Sequence, residues 1–172
     1  MTAGDTPEID AAEPRPGHGG PFVPEQFVVP PPPTTDRFWL EPLGPQHNQA
    51  DYRAWTSSLE HIHATEGFEQ SRWPHPMTLE ENLGDLVMHE RHFRERLGFT
   101  YTVRDGAGGA HDADSDVIGC VYIYPSADAG VDAEVRSWVR VSHAELDSVV
   151  ASTVSQWLDD RWPSTVVRYR SR

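Results

Sequence analysis

The stretch from Ala133 to Tyr169 changes its hydrophobic period twice, and each change narrows what the chain can fold into. Ala133 to Val141 alternates with period two: Val135, Ser137, Val139 and Val141 fall on one face, and Glu134, Arg136, Trp138 and Arg140 on the other. From Leu146 the period becomes helical, and Leu146, Val149, Val150, Thr153, Val154, Trp157 and Leu158 make one apolar stripe. Pro163 stops that helix, and Thr165 to Tyr169 is again β-branched and aromatic. Two strands joined by one helix are expected to lie parallel, with the stripe covering the sheet and a right-handed crossover.

At 172 residues the chain can hold one domain with a real core and a tail. A net charge of −13 argues against nucleic acid and anionic membrane as partners, because phosphate contacts need clustered base. All 14 basic residues are arginine. The absence of lysine excludes a Schiff-base or P-loop lysine and the chemistry built on either. The one cysteine, Cys120, cannot form an internal disulfide, which points to a reducing, cytoplasmic setting. No run is long enough to span a membrane, and the acidic N-terminus does not resemble a signal peptide.

In chain order, residues 1–33 read as a proline-rich tail, and 34–172 as the domain. Phe22, Val23, Phe27, Val28 and Val29 are too apolar for a plain linker, so that part of the tail is expected as a strap on the domain surface, with a docking peptide as the alternative. Thr35 to Leu43 predicts a first strand, and Tyr52, Trp55, Leu59 and Ile62 recur at helical spacing. Thr78 and Glu81 form a capping box for a long amphipathic helix that Gly98 is expected to end. Phe99 to Val103 and Val117 to Tyr124 are strands joined by a glycine- and aspartate-rich turn, the second apolar on both faces and therefore central. The expected class is α+β: a mixed sheet flanked by helices, with antiparallel pairs leading into the parallel unit.

This order, with its local wording, resembles the GNAT superfamily of N-acetyltransferases, nearest to the branch that acetylates ribosomal-protein N-termini. Thr35-Asp36-Arg37-Phe38-Trp39-Leu40-Glu41-Pro42-Leu43 is similar to that branch's first-strand phrase, and Val117-Ile118-Gly119-Cys120-Val121 to its third strand. Ala133 to Val141 is similar to the fourth, which in the family holds the thioester arm of acetyl-CoA. The resemblance implies an acetyl-CoA-dependent N-acyltransferase, with Glu134 as general base and the main-chain groups of Val139, Arg140 and Val141 as cofactor contacts. The family's Gln/Arg-x-x-Gly-x-Gly/Ala loop, which holds the CoA diphosphate on a helix N-terminus, is replaced: Ala144, Asp147 and Val149 stand at its three positions. Glu145 and Asp147 would face the diphosphate, so weak or no acetyl-CoA binding is expected. Ser142 and Glu145 read instead as a capping box. The family also continues past its fifth strand with a helix and two strands, which this chain is expected to lack, together with the tyrosine that protonates the leaving thiolate. The alternative to an acyltransferase is therefore a non-catalytic binding or assembly module on the same scaffold. An uncovered edge on the last strand predicts a homodimer through it.

Other readings are weaker. Glu134 is equally explained as a strand carboxylate paired with an arginine, and Arg136 and Arg140 as cross-strand partners or as a cradle for an acidic ligand. His61-x-His63 would share one side of a strand and His89-x-x-His92 one helix face, without further ligands at a metal-site spacing; solvated surface histidines are expected. Asp112, Asp114 and Asp116 imitate the start of a calcium loop, but Val117 and Ile123 stand where its glycine and its closing glutamate belong. No metal site is expected. Cys120 reads as a packing thiol.

Overall fold

A computed structural model describes residues 21–106, 116–164 and 166–170. Five strands form one sheet in the order β1-β2-β3-β4-β5, where β1 is Phe38–Pro42, β2 Phe99–Asp105, β3 Val117–Pro125, β4 Ala133–Val139 and β5 Val167–Arg170. The first three pairings are antiparallel, and β4 with β5 is parallel, as the change of period implied. Helices α1 (Asn48–Thr56), α2 (Leu59–His63) and α3 (Leu79–Glu95) precede β2, and α4 (Asp147–Arg161) joins β4 to β5.

Both faces of the sheet are covered, so the inner strands are buried on both sides. Val150, Val154, Trp157 and Leu158 of α4 pack on Tyr101, Ile118, Val121, Val135 and Val139. On the opposite face Trp55 of α1 and Ile62 of α2 meet Trp73, Cys120, Tyr122 and Trp138. Ile118 has no partner in the register, which passes from Val103↔Gly119 to Arg104↔Val117. That extra residue puts Ile118 on the same side as Val121 and Ile123 rather than opposite them. The tail's apolar residues rest on the α4 face: Val23 is buried there, and Phe27 lies 5.4 Å from the Trp162 ring. The Phe22 amide donates to the Arg96 carbonyl at 2.7 Å, and the Arg96 guanidinium donates to the Phe27 carbonyl at 2.7 Å.

Several local expectations change. The first strand is shorter than Thr35 to Leu43, and the apolar recurrence from Tyr52 to Ile62 is two helices, broken at Ser57 and Ser58. The capping box forms: Thr78 Oγ1 accepts from the Glu81 amide at 3.1 Å, and Glu81 accepts from the Thr78 amide at 2.6 Å, which holds the Glu81 carboxyl below its usual range. Gly98 does not end α3. Arg96 takes the left-handed conformation there, with φ 59°. Gly98 is small for another reason, since a Cβ would come within 2.2 Å of the Tyr124 ring.

His89 and His92 are buried, not solvated; Nδ1 of each lies 3.0 Å from the Tyr124 hydroxyl. His61 and His63 are on α2, not a strand, and have different partners. Among the described residues, no three metal-ligating side chains come together, and no helix is long and apolar enough to cross a membrane. Asp112 and Asp114 lie outside the described residues, and Asp116 pairs with Arg140 at 2.9 Å.

Candidate functional site

The break between α1 and α2 places two adjacent hydroxyls beside the exit of β4. Ser57 closes α1 by donating to the Ala54 carbonyl at 2.8 Å. Ser58 is buried, and its Oγ accepts from the Val141 amide at 3.0 Å. Thr56, Ser57, Ser58, Leu59, Glu60, His61, Ala64 and Val141 line one open cleft of about 520 Å³. The walls mix three hydroxyls, one imidazole and one carboxylate with the aliphatic side chains of Leu59, Ala64 and Val141, an apolar lining with a few polar groups of the kind that holds small ligands.

The imidazole is held from behind. His61 Nε2 lies 3.3 Å from Asp147 Oδ2, and both side chains are largely shielded from solvent. Asp147 is the first residue of α4, so the contact ties the start of that helix to α2, 86 residues earlier in the chain. A carboxylate against one ring nitrogen fixes the orientation of the ring. A third pair sits where β4 and β5 meet. Tyr169 donates from its hydroxyl to Ser137 Oγ at 3.0 Å. Burial pushes that phenol well above its ordinary pKa, and the Asp147 charge adds to the effect, so Tyr169 stays protonated.

The residues singled out in the sequence are close in the chain but do not converge on the cleft. Glu134 lies at the opposite end of β4, 3.6 Å from Arg170 and 3.9 Å from Arg168. Its partners are thus β5 arginines, not Arg136. The Arg136 guanidinium is buried, donating to the Gly67 carbonyl at 3.0 Å and lying over the Phe68 ring. Arg140 spends its amide on the Ile118 carbonyl at 2.7 Å and its side chain on Asp116. Val139 pairs with Gly119 in the register and its side chain is in the core. Only Val141 borders the cleft, and it is not on a strand: Val141–Leu146 is a 3₁₀ stretch that runs into α4.

The capping box expected at Ser142 and Glu145 does not form. Ser142 Oγ turns to His143 Nδ1 at 2.9 Å, and the exposed Glu145 carboxylate faces Arg37 at 3.6 Å. With 3₁₀ turns leading directly into α4, the N-cap position falls on Leu146, which has no side-chain oxygen to offer. Asp147, expected to face a diphosphate, is instead buried against His61.

The sequence matches no protein-family model and no curated protein. Solved structures do resemble this one. The ribosomal-protein-S5-alanine acetyltransferase from Vibrio fischeri superposes with a TM-score of 0.55 at 12% identity, covering 75% of this chain and 67% of its own. The ribosomal L7/L12 alpha-N-protein acetyltransferase RimL gives 0.54 at 10% identity, covering 80% of this chain and 68% of its own. At such identities the likeness is one of architecture, and it agrees with the order of strands and helices above. The chain has the fold of the GNAT acetyltransferases, a five-stranded mixed sheet between helices.

Proposed function

We propose that this chain is an N-acyltransferase-like protein with a degraded cofactor loop, working as a non-catalytic module that binds a small ligand in the α1–α2 cleft. One observation carries the reading: the Val141 amide, a group the fold would offer to the thioester arm of acetyl-CoA, is engaged by Ser58. The amide before it is tied to β3. An incoming arm would have to displace Ser58 from a buried position, and it would gain no more hydrogen bonding than it broke.

The donor set at the start of α4 does not fit a diphosphate. Residues 141–149 contain no glycine, and Glu145 and Asp147 bring two carboxylates. The nearby bases already face acids: Arg37 faces Glu145, Arg140 faces Asp116, and His143 lies 3.5 Å from Asp105. The helix start disfavours an anion through its charge and its pairing, without a side-chain cap.

Isothermal titration with acetyl-CoA tests the reading. At physiological salt we expect no binding up to roughly millimolar concentration. A micromolar or tighter dissociation constant, or transfer of an acetyl group to any amine, would restore the acyltransferase reading. In that case Glu134 and the His61–Asp147 pair are the groups placed to accept a proton.

A further inference from the structure

Helix α3 is docked on the sheet through a face that titrates. Of its buried residues, Asn82, His89 and His92 are polar and only Leu86 is apolar. Phe93, partly buried, adds packing on Phe99 and Tyr101 near the helix end. A surface helix is normally docked by an apolar stripe. Here the seam is a line of hydrogen bonds. Asn82 accepts from Trp55 Nε1 at 2.8 Å through Oδ1 and donates to Asp51 Oδ2 at 3.1 Å. Two turns on, His89 Nδ1 lies 2.9 Å from Thr100 Oγ1 of β2, and His89 and His92 share the buried Tyr124 hydroxyl of β3. That hydroxyl has one proton for two imidazole nitrogens, each 3.0 Å away. His89 Nδ1 has two hydroxyl oxygens in reach, and two hydroxyls cannot donate to one lone pair, so His89 is the donor there. The Tyr124 proton is then given to His92 Nδ1.

Charge points the same way. The two imidazoles are 6.4 Å apart, so two buried cations would repel. The acids stand with His89: its charge lowers the carboxyl of Asp51 on α1, and Asp85 is one turn before it on α3. From β3, Tyr122 faces His89 with its ring 5.5 Å away, and from β2 the facing group is Thr100. His47, ahead of α1, is turned to Glu41 at 2.9 Å, and Glu90, Arg91, Arg94 and Glu95 of α3 are exposed to solvent. We infer that His92 is the neutral acceptor of the Tyr124 proton, and that acid undocks α3 from the sheet by adding a proton at His92 Nδ1. The added proton enters on the line that the Tyr124 proton already occupies, and one of the two must leave. In the undocked helix His92 takes that proton freely, with a pKa of about 6.5. Its contribution to docking is therefore complete above about pH 6.5 and is lost as the pH falls below it, by about tenfold in the docking equilibrium at pH 5.5. Asp51 opposes this change, because its carboxyl is raised by burial and binds a proton more tightly in the docked state. The inference is independent of what the cleft binds.

Hydrogen exchange on the full chain, with each amide rate divided by its random-coil rate, tests it. His92→Gln keeps an oxygen to accept from Tyr124 and removes the titration, while Asp51 stays in both chains. The ratio of α3 protection at pH 7.5 to that at pH 5.5, read over residues 86–93, should be about tenfold larger in wild type than in His92→Gln. Protection in α4 should change equally in the two chains. A second measurement needs no substitution: at pH 7.5 the nitrogen-15 resonance of His92 Nδ1 in wild type should be that of an unprotonated ring nitrogen. The same ratio in both chains, a loss of α3 protection that α4 shares in full, or a protonated His92 Nδ1 at pH 7.5 would each overturn the inference.

Discussion

Asp51→Asn should stabilise this protein at neutral pH and not in acid. Asp51 is buried on the inner side of α1, where Oδ2 accepts from Asn82 Nδ2 at 3.1 Å. Burial raises its carboxyl from 3.8 to about 6, against the lowering effects of the Asn82 bond and of His89, and with a small rise from Asp85. A folded pKa above the unfolded one means that the native state binds the proton more tightly. The resulting stabilisation is complete below pH 4, falls between pH 4 and 6, and is gone above. At pH 7.5 the ionised native protein is therefore about 3 kcal/mol worse off than the protonated one. Asparagine removes the charge and keeps an oxygen for Asn82, but it brings an NH₂ group whose burial costs about 1–3 kcal/mol if it finds no acceptor. The net gain expected at pH 7.5 is about 1 kcal/mol. The firmer quantity is the pH slope. Urea unfolding followed by tryptophan fluorescence should show the variant gaining on wild type by about 1.5 kcal/mol between pH 5 and 7.5. A difference that stays flat across that interval would refute the claim that burial sets the Asp51 pKa.

Gly98→Ala should destabilise the protein by about 1–3 kcal/mol in the same unfolding assay, since its Cβ would overlap the Tyr124 ring that His89 and His92 hold in place. A neutral result would mean that the ring shifts freely. Glu134→Gln should lower stability by less than about 1 kcal/mol, as expected for a partly exposed group paired with Arg168 and Arg170. It should leave ligand binding in the cleft unchanged when that is measured by calorimetry. If amine acetylation is detected and this variant alone abolishes it without unfolding, Glu134 is the base after all.

The architecture was legible because its signals are local. The alternation in β4, the stripe on α4 and the unbroken apolar run of β3 each state their own burial, and Thr78 with Glu81 marks the start of α3 within four residues. Where the reading failed, a distant partner had changed the meaning of a local pattern. Gly98 looked like a helix terminator until Tyr124, on another strand, turned out to need its space. His89 and His92 looked solvated because their common partner is that same Tyr124 hydroxyl.

Asp147 shows the limit most plainly. An acid in the first turn of a helix is explained by the dipole alone, so the sequence gives no reason to search for a second partner. Its partner His61 lies where the apolar spacing suggests an amphipathic helix and His61-x-His63 one side of a strand, and neither pattern points to α4. The cleft follows from the same pair. With Asp147 turned inward to α2, the 3₁₀ stretch from Val141 stays close to Ser58, and the β4 exit is joined to α2 instead of standing open. The missing glycine loop is visible in the sequence as a loss. The structure adds that Asp147 now contacts α2, so restoring the glycines at 147 and 149 by mutation would remove the His61 partner together with one negative charge. Loop replacement alone is therefore not expected to recreate a cofactor site, because Ser58 would still engage the Val141 amide.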